Sequence, residues 1–357
     1  MATPRCLLYG ATGYTGRLLA RAAAARGLEV VLAGRNEERL ASLARSLGLE
    51  HRALGLDSPA RLAAALADVT AVLNAAGPFT ATAGPLVDAC LDAGIHYLDL
   101  TGEIEVFRAI RARDDDAHAR GVMLLPGAGF IVAPSDCLAR RVCARLQQPE
   151  ALSIGVSRAA RLSRGSMRTM IEMIAAGVLV RREGRMILTS SRVPPKSFDF
   201  GQGPTSCLAV NWADVYTAHF STGVPDITGY LEVTPWEKGL FLASRYGAWW
   251  LQTPPWQALL KAQSGFLPEG PTDEERACQR RVIVAEAEDA NGRRHAARLE
   301  TPESYDFTVT VALAIVERVF AGEVKPGFQT PALAYGADFV LGFDGVTYTE
   351  HTPVYSS

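Results

Sequence analysis

Gly10, Gly13 and Gly16 fall three apart in Gly10-Ala11-Thr12-Gly13-Tyr14-Thr15-Gly16, between an apolar run at 5–9 and an alanine-rich stretch to 26. A turn of this kind between a strand and a helix lets backbone approach a pyrophosphate closely. It also offers that phosphate unbonded N–H groups and the positive end of the helix dipole. The spacing GxxGxxG is not the commoner GxGxxG, and on its own it equally suits close packing of a helix on a sheet. After the next apolar run, at 29–33, stand Arg35 and Asn36, where a carboxylate would select a ribose 2′-hydroxyl. An arginine fork binds a 2′-phosphate with two parallel hydrogen bonds, so this pattern predicts NADP(H) rather than NAD. Asp57 ends a third run, placed to meet the adenine or to cap the helix that begins at Pro59. The small residues Ala75, Ala76, Gly77 and Pro78, with Phe79, end a fourth run and suit a backbone passing beside the dinucleotide.

A nicotinamide cofactor implies hydride transfer to an electrophilic carbon of a C=C, C=N or C=O bond, with a proton donor beside it. The candidate catalytic carboxylates are Glu103, Asp99 and Asp136. Glu103 suits the role as a buried acid with a raised pKa, and equally suits capping of the helix after it. Thr101 and Gly102 share its strand-end segment and are expected to line the cofactor, Thr101 also being a candidate donor. Phe130, Ile131, Ser135, Ser166, Ser221 and Thr222 are the candidate substrate contacts, although Ser135 and Asp136 after Pro134 also fit ordinary N-cap chemistry. The six histidines lack metal-ligand spacing, so no metal site is expected, and Asp114–Asp116 reads as a solvated helix face. Only four of the 36 basic residues are lysines (Lys196, Lys238, Lys261 and Lys325), so any lysine chemistry belongs to one of them.

Positioning these groups requires a scaffold. Strand-like runs at 5–9, 29–33, 51–56, 71–75, 97–100 and 121–125 alternate with helical patterns at 16–26, 36–47, 59–66 and 84–93. This rhythm predicts an α/β, Rossmann-type, doubly wound parallel sheet over residues 1–133. Beyond it the rhythm breaks. A helix at 136–146, strands at 151–158 and 178–189, a helix at 163–176, a loop at 190–206, and a hairpin through Asn291-Gly292 predict a second α+β domain over 134–302. Its sheet is expected to be mixed and mostly antiparallel. Residues 303–357 hold a capped apolar helix, expected over 303–321, and a glycine-rich tail.

With 357 residues, 48% hydrophobic and 21% charged, the chain has the composition of an ordinary globular protein. A net charge of −2 gives no global electrostatic reason to expect nucleic acid. Six cysteines without a CxxC pair, and an N-terminus that enters a strand at once, lead us to expect a cytoplasmic protein without a targeting segment. Four of the five tryptophans lie between 236 and 267, among Phe241, Tyr246, Leu259, Leu260 and Phe266. Such a segment suits a hydrophobic small-molecule channel, a peripheral membrane contact or a homodimer contact, as well as plain core packing.

The motifs GATGYTG, NAAGPF (74–79), YLDLTGE (97–103) and LLPGAGFIVAPSDCLA (124–139), followed by NWADVYTAHFSTGVPDI (211–227) and TPESYDFT (301–308), are together informative. In that order they resemble the saccharopine dehydrogenase-like oxidoreductases, in particular their bacterial trans-acting enoyl reductase branch. The resemblance implies a Rossmann domain, a mixed-sheet substrate domain, a C-terminal helix and tail at 303–357 that return to the Rossmann domain, and NADPH-linked reduction of an activated double bond. An enoyl C=C of a lipid or secondary metabolite is favoured. A saccharopine-type imine reduction stays open, with Arg158, Arg161, Arg164 and Arg168 as carboxylate clamps. A non-catalytic dinucleotide sensor or scaffold stays open too. One departure stands out: Ile131 follows Gly127-Ala128-Gly129-Phe130, where the family usually carries an Asp or another polar residue.

Overall fold

The computed structural model describes residues 3–158, 178–189, 193–234 and 270–351. The chain divides into two compact units, one of residues 1–133 with 305–336, the other of 134–304 with 337–357. The C-terminal segment is therefore shared: its helix belongs to the first unit and its last 21 residues to the second.

In the first unit, β1 (Cys6–Tyr9), α1 (Tyr14–Ala25), β2 (Val30–Gly34), α2 (Glu37–Leu47), β3 (Glu50–Ala53) and α3 (Pro59–Leu66) form one half. The other half is β4 (Ala71–Asn74), α4 (Phe79–Ala93), β5 (His96–Asp99), α5 (Ile104–Arg111), α6 (Asp114–Ala119) and β6 (Met123–Leu125). The sheet is parallel throughout, in the order β6-β5-β4-β1-β2-β3, and β15 (Gly327–Phe328) adds to it beside β6. Every residue of β1, β2 and β4 is buried, as expected for central strands covered by helices on both faces. Strand order reverses between β1 and β4, and at such a switch point the two outgoing loops splay apart to leave a crevice.

Local chemistry sets the helix starts. The Asn36 side chain caps α2, and Ser58 caps α3 ahead of Pro59. Ser58 is thus the cap for which Asp57 was a candidate. The fourth helix starts at Phe79, not near 84, so Phe79 is its first residue. Asp114 is not a solvated residue. It pairs with Arg111 at 2.8 Å and accepts the Phe328 N–H at 2.6 Å, which ties β15 to α6.

The second unit contains α7 (Ala133–Cys143, from its second residue), β7 (Pro149–Val156), β8 (Val178–Arg182), β9 (Arg185–Thr189), β10 (Lys196–Asp199) and β11 (Pro204–Ala209). It continues with α8 (Asp214–Thr222), β12 (Asp226–Glu232), α9 (Asp273–Ala277), β13 (Arg280–Asp289), β14 (Arg294–Pro302) and β16 (Thr347–His351). Between β14 and β16 in sequence come α10 (Ser304–Phe320) and α11 (Pro331–Tyr335). Among the described residues the sheet order is β10-β11-β12-β7-β13-β14-β16, parallel only between β12 and β7, with the β8–β9 hairpin attached to β12. The mixed, mostly antiparallel sheet expected from the sequence is the one found.

Three expectations are corrected here. The stretch 178–189 is a hairpin turning at Glu183-Gly184, not one strand. The region expected as a loop to 206 carries the paired strands β10 and β11, because Phe198 has a core to enter with Cys207, Tyr230 and Val284. The helix expected from 136 begins at Ala133, so Ser135 lies inside its first turn instead of capping it. The expected helix at 163–176, Ser166, Arg161, Arg164, Arg168 and the aromatic segment 236–267 lie outside the described residues.

Candidate cofactor crevice

The glycine turn is shaped by close approach. Gly10 has φ +87°, and a Cβ there would stand 2.8 Å from Ala76, on the loop leaving β4. A Cβ on Gly16 would stand 2.2 Å from the Gly10 carbonyl oxygen, so α1 sits directly against the turn. The first helical turn of α1 has Gly13 as its N-cap, with no side-chain cap and no acidic residue. Its dipole is thus left for an outside anion. Ala11 and Gly16 are buried, Thr12, Tyr14 and Thr15 half-buried, and Gly13 exposed. These features fit a bound pyrophosphate.

At the ends of β1, β2 and β3 the polar candidates converge. The buried Tyr9 phenol feels both the Arg35 and Asp57 charges. Burial raises its pKa, Arg35 opposes the rise and Asp57 adds to it. Arg35 and Asp57 are both exposed, whereas Asn36 spends its side-chain oxygen on the Arg39 N–H at 2.9 Å. An exposed cation thus stands at the end of β2, with its guanidinium not claimed by a side-chain cap of α2.

The other half of the crevice is held from behind by buried polar groups. Asn74 is fully buried at the end of β4; its side-chain oxygen accepts the Ala76 N–H at 3.0 Å, and its amide donates to Thr82 and to the Tyr97 hydroxyl. Asp99 is fully buried and accepts from the Tyr97 hydroxyl (2.9 Å), the Thr101 N–H (2.9 Å) and the Gly127 N–H (3.0 Å). Burial pushes its carboxyl up to about 7, with the three hydrogen bonds opposing and the Glu103 charge adding to the rise.

Glu103 is not the buried acid expected; it is half-buried. Its two carboxylate oxygens accept the Phe79 N–H at 3.0 Å and the Thr80 N–H at 2.9 Å, so its side chain caps α4, the helix opened by the small-residue loop. The helix it precedes, α5, receives no side-chain cap from it. Thr101 is buried and accepts the Glu103 N–H at 3.0 Å. Ile131 packs on Gly102, where a Cβ would meet its Cγ2 at 2.8 Å. Ile131 thus makes an apolar contact between two crevice segments.

Two residues that no motif marked for this site also shape it. Tyr305, the second residue of α10, sets its ring edge-on to Tyr14 of the glycine turn, centroids 5.0 Å apart. Thr308, one turn later, accepts the Phe130 N–H at 3.0 Å. Both belong to TPESYDFT, some 290 residues from the turn; the expected return of this helix to the first domain pointed to packing there but named neither residue.

The candidates of the second unit pair with one another. The Ser135 hydroxyl donates to Asp214 Oδ1 at 2.7 Å, and the Ser221 hydroxyl donates to Asp136 Oδ1 at 2.5 Å. These reciprocal bonds tie α7 to α8. Thr222 donates back to the Ala218 carbonyl. Asp136 and Asp214 are both fully buried. Burial drives the Asp214 carboxyl well above the usual carboxylate range; Ser135 opposes this and the Asp136 charge adds to it. Phe130, in the first unit, is buried and Ile131 half-buried.

Comparison with known proteins bears out the resemblance read from the motifs. Residues 6–125 match the saccharopine dehydrogenase NADP binding domain. Trans-acting enoyl reductases of Mycobacterium bovis and Mycobacterium tuberculosis are 38% identical over 138 residues, which is 36% of this chain and 33% of theirs. That of Mycobacterium leprae is 36% identical over the same length. The matched stretch thus spans about a third of the length of these curated relatives. Saccharopine dehydrogenase (L-Glu forming) from Saccharomyces cerevisiae shares the fold, with a TM-score of 0.66 at 11% identity over 98% of this chain and 100% of that one. Among the described residues, no helix is long and apolar enough to cross a membrane.

Proposed function

We propose, from the premise that residues 6–125 are a saccharopine dehydrogenase NADP binding domain, that the chain is an NADPH-dependent reductase of an activated double bond. The substrate proposed is an enoyl C=C in a hydrophobic lipid or secondary metabolite. The observation that carries the reading is the crevice at the strand-order reversal, with a tight glycine turn, an uncapped α1 N-terminus and Arg35 on one rim. The 38% identity to proteins named trans-acting enoyl reductases supports the choice of an enoyl group.

NADPH, when bound, supplies the hydride. Gly10 to Gly16 would hold its pyrophosphate, Arg35 its 2′-phosphate, with Asp57 near the adenine end. Ala75 to Phe79, Thr101 and Gly102 would line the other half. Glu103, by fixing the start of α4, and Asp99, by fixing the segments after β5 and β6, hold that lining in shape. With both carboxylates so engaged, they act as positioning groups for the cofactor and leave the proton donor to another residue or to water. The aromatic segment 236–267 supports a hydrophobic substrate and a contact with a membrane surface or a second copy.

The test is NADPH oxidation followed at 340 nm with enoyl thioesters, with amine and keto-acid pairs that form imines, and without substrate. Turnover confined to the enoyl panel is expected. Turnover only with imine-forming pairs, or tight NADPH binding with no turnover on any panel, overturns the enoyl reading.

A further inference from the structure

We propose that Asp99 is a positioning residue whose ionised carboxylate terminates a one-way hydrogen-bond relay, locking the segments after β4, β5 and β6 into their cofactor-binding arrangement. Cofactor binding is then linked to proton loss from Asp99. The inference rests on the reading of the crevice as an NADP(H) site.

The sense of the relay follows from its donors. The Ala76 N–H can donate only to the Asn74 side-chain oxygen, and this fixes which way the Asn74 amide faces. The Asn74 amide nitrogen then donates its two hydrogens, to the Thr82 hydroxyl oxygen (3.0 Å) and to the Tyr97 hydroxyl oxygen (3.1 Å). Thr82 passes its own hydrogen to the Ala76 carbonyl at 2.7 Å, closing the loop after β4 on itself. Tyr97 passes its hydrogen to Asp99 Oδ2, and Asp99 Oδ1 takes the N–H groups of Thr101 and Gly127. From Asn74 onward the donors on this path point at the carboxylate.

A proton added to Asp99 therefore has no acceptor waiting for it along the relay. Placed on the Oδ2 lone pair that Tyr97 uses, it faces the Tyr97 hydrogen; placed on the other, it is a buried O–H with no acceptor on the relay; placed on Oδ1, it displaces the N–H of Thr101 or Gly127. In each case a buried donor is left without a partner, a cost that letting go of a segment at the strand end relieves. The segments at risk are those the cofactor needs: Ala75 to Phe79 through Asn74, Thr101 and Gly102, and Gly127 to Phe130.

The titratable groups facing Asp99 are Tyr97 on its own strand and Glu103 on the next segment, with Cys90 of α4 acting on Tyr97. Glu103 and burial both favour the protonated form, which brings the exchange into the neutral range. The crevice thus holds its shape with a carboxylate that its surroundings push towards neutrality. A dinucleotide that needs the ordered segments favours the ionised form and expels the proton.

The test is fluorescence titration of the full chain with NADPH and with NADH between pH 6 and pH 8, for the wild type, Asp99→Asn and Tyr97→Phe. The 2′-phosphate of NADPH also titrates, near pH ~6. NADH lacks it, so a slope common to both nucleotides belongs to the protein. For one expelled proton, wild-type Kd for both is expected to rise about tenfold from pH 8 to pH 6. Asp99→Asn keeps the shape but presents an amide donor to Tyr97, reversing that link. It is expected to bind at the weak, low-pH level with no slope in NADH affinity. Tyr97→Phe is expected to weaken binding at pH 8 and to move the slope to higher pH, and it decides alone should Asp99→Asn not fold. A flat wild-type NADH profile, an unchanged slope in Asp99→Asn, or wild-type binding by Tyr97→Phe across the range overturns the inference. Absence of binding by either nucleotide at every pH overturns the cofactor reading itself, and the inference falls with it.

Discussion

Asp99 of the first unit and Asp214 of the second are both fully buried carboxyls that burial pushes upward, yet their surroundings differ in kind. Asp99 collects three donors, two of them backbone N–H groups on separate segments. Asp214 takes the Ser135 hydroxyl and, from its own residue, a backbone N–H, and its Oδ2 has no hydrogen-bond partner among the described residues. A carboxylate with converging donors organises the backbone that supplies them. A carboxyl with one hydroxyl and a bare oxygen is most cheaply kept neutral, and the bond it makes joins two helices. Burial alone therefore does not mark a functional acid; the number and origin of its donors separate the two roles.

The largest expected effect tests whether the first unit is built around a ligand. Gly16→Ala places a methyl 2.2 Å from the Gly10 carbonyl oxygen, which forces α1 away from the turn. We expect NADPH affinity to fall by on the order of 100-fold or more and stability by about 1–3 kcal/mol. Calorimetric titration and urea unfolding measure the two losses. Undiminished binding removes the basis for reading the turn as a phosphate cradle.

Next in size is Arg35→Ala. Arg35 is exposed and starts no helix of its own, so removing it leaves the fold intact. The NADPH-to-NADH affinity ratio is expected to fall about 10- to 100-fold, the worth of a charge-assisted fork on a phosphate. An unchanged ratio takes the 2′-phosphate away from this strand end.

These two variants also show what the sequence made legible. The turn, the parallel sheet and Arg35 were readable because each depends on local spacing and on the rule that cofactors sit at strand ends. The roles of Asp99 and Glu103 were not. A carboxylate after a strand reads alike whether it serves as an acid, caps its own helix or, as Glu103 does, caps a helix that begins 24 residues earlier. Tyr305 and Thr308 were hidden for a related reason, since their partners lie almost the whole chain away. Ser135 misled in the opposite direction. Its cap-like context after Pro134 was sound chemistry, but the helix had already begun at Ala133 and freed the hydroxyl for Asp214.

Asp214→Asn sharpens the comparison through its pH dependence. Burial drives the folded Asp214 carboxyl well above the ordinary carboxylate pKa of about 3.9, so between the unfolded and folded values the folded protein is expected to keep a proton that the unfolded chain releases. Stability from this group is thus full at low pH and is lost as pH rises towards the folded pKa. Asparagine does not titrate. Relative to wild type the variant should gain up to about 1.4 kcal/mol per pH unit above pH ~4, measured by urea unfolding at several pH values. Asp99→Asn should gain stability in the same direction only up to about pH 7, while losing cofactor affinity that Asp214→Asn keeps. If the stability difference between wild type and Asp214→Asn does not change with pH, Asp214 is ionised in the folded protein and the contrast between the two sites fails.

The smallest effect separates a helix clasp from a substrate contact. Ser221 donates to Asp136 and also lies against the Ala218 carbonyl, so Ser221→Ala removes one part-buried bond without opening a sizeable cavity. A clasp predicts a loss of about 1–2 kcal/mol in urea unfolding, with KM for the substrate within about twofold of wild type because the hydroxyl points at Asp136 rather than outward. Ser135→Ala should behave in the same way through Asp214, and the double variant should lose less than the sum if the two bonds brace the same pair of helices. A KM raised about tenfold or more with stability unchanged would instead place Ser221 on the substrate. The second unit would then share with the first a polar group built for a ligand.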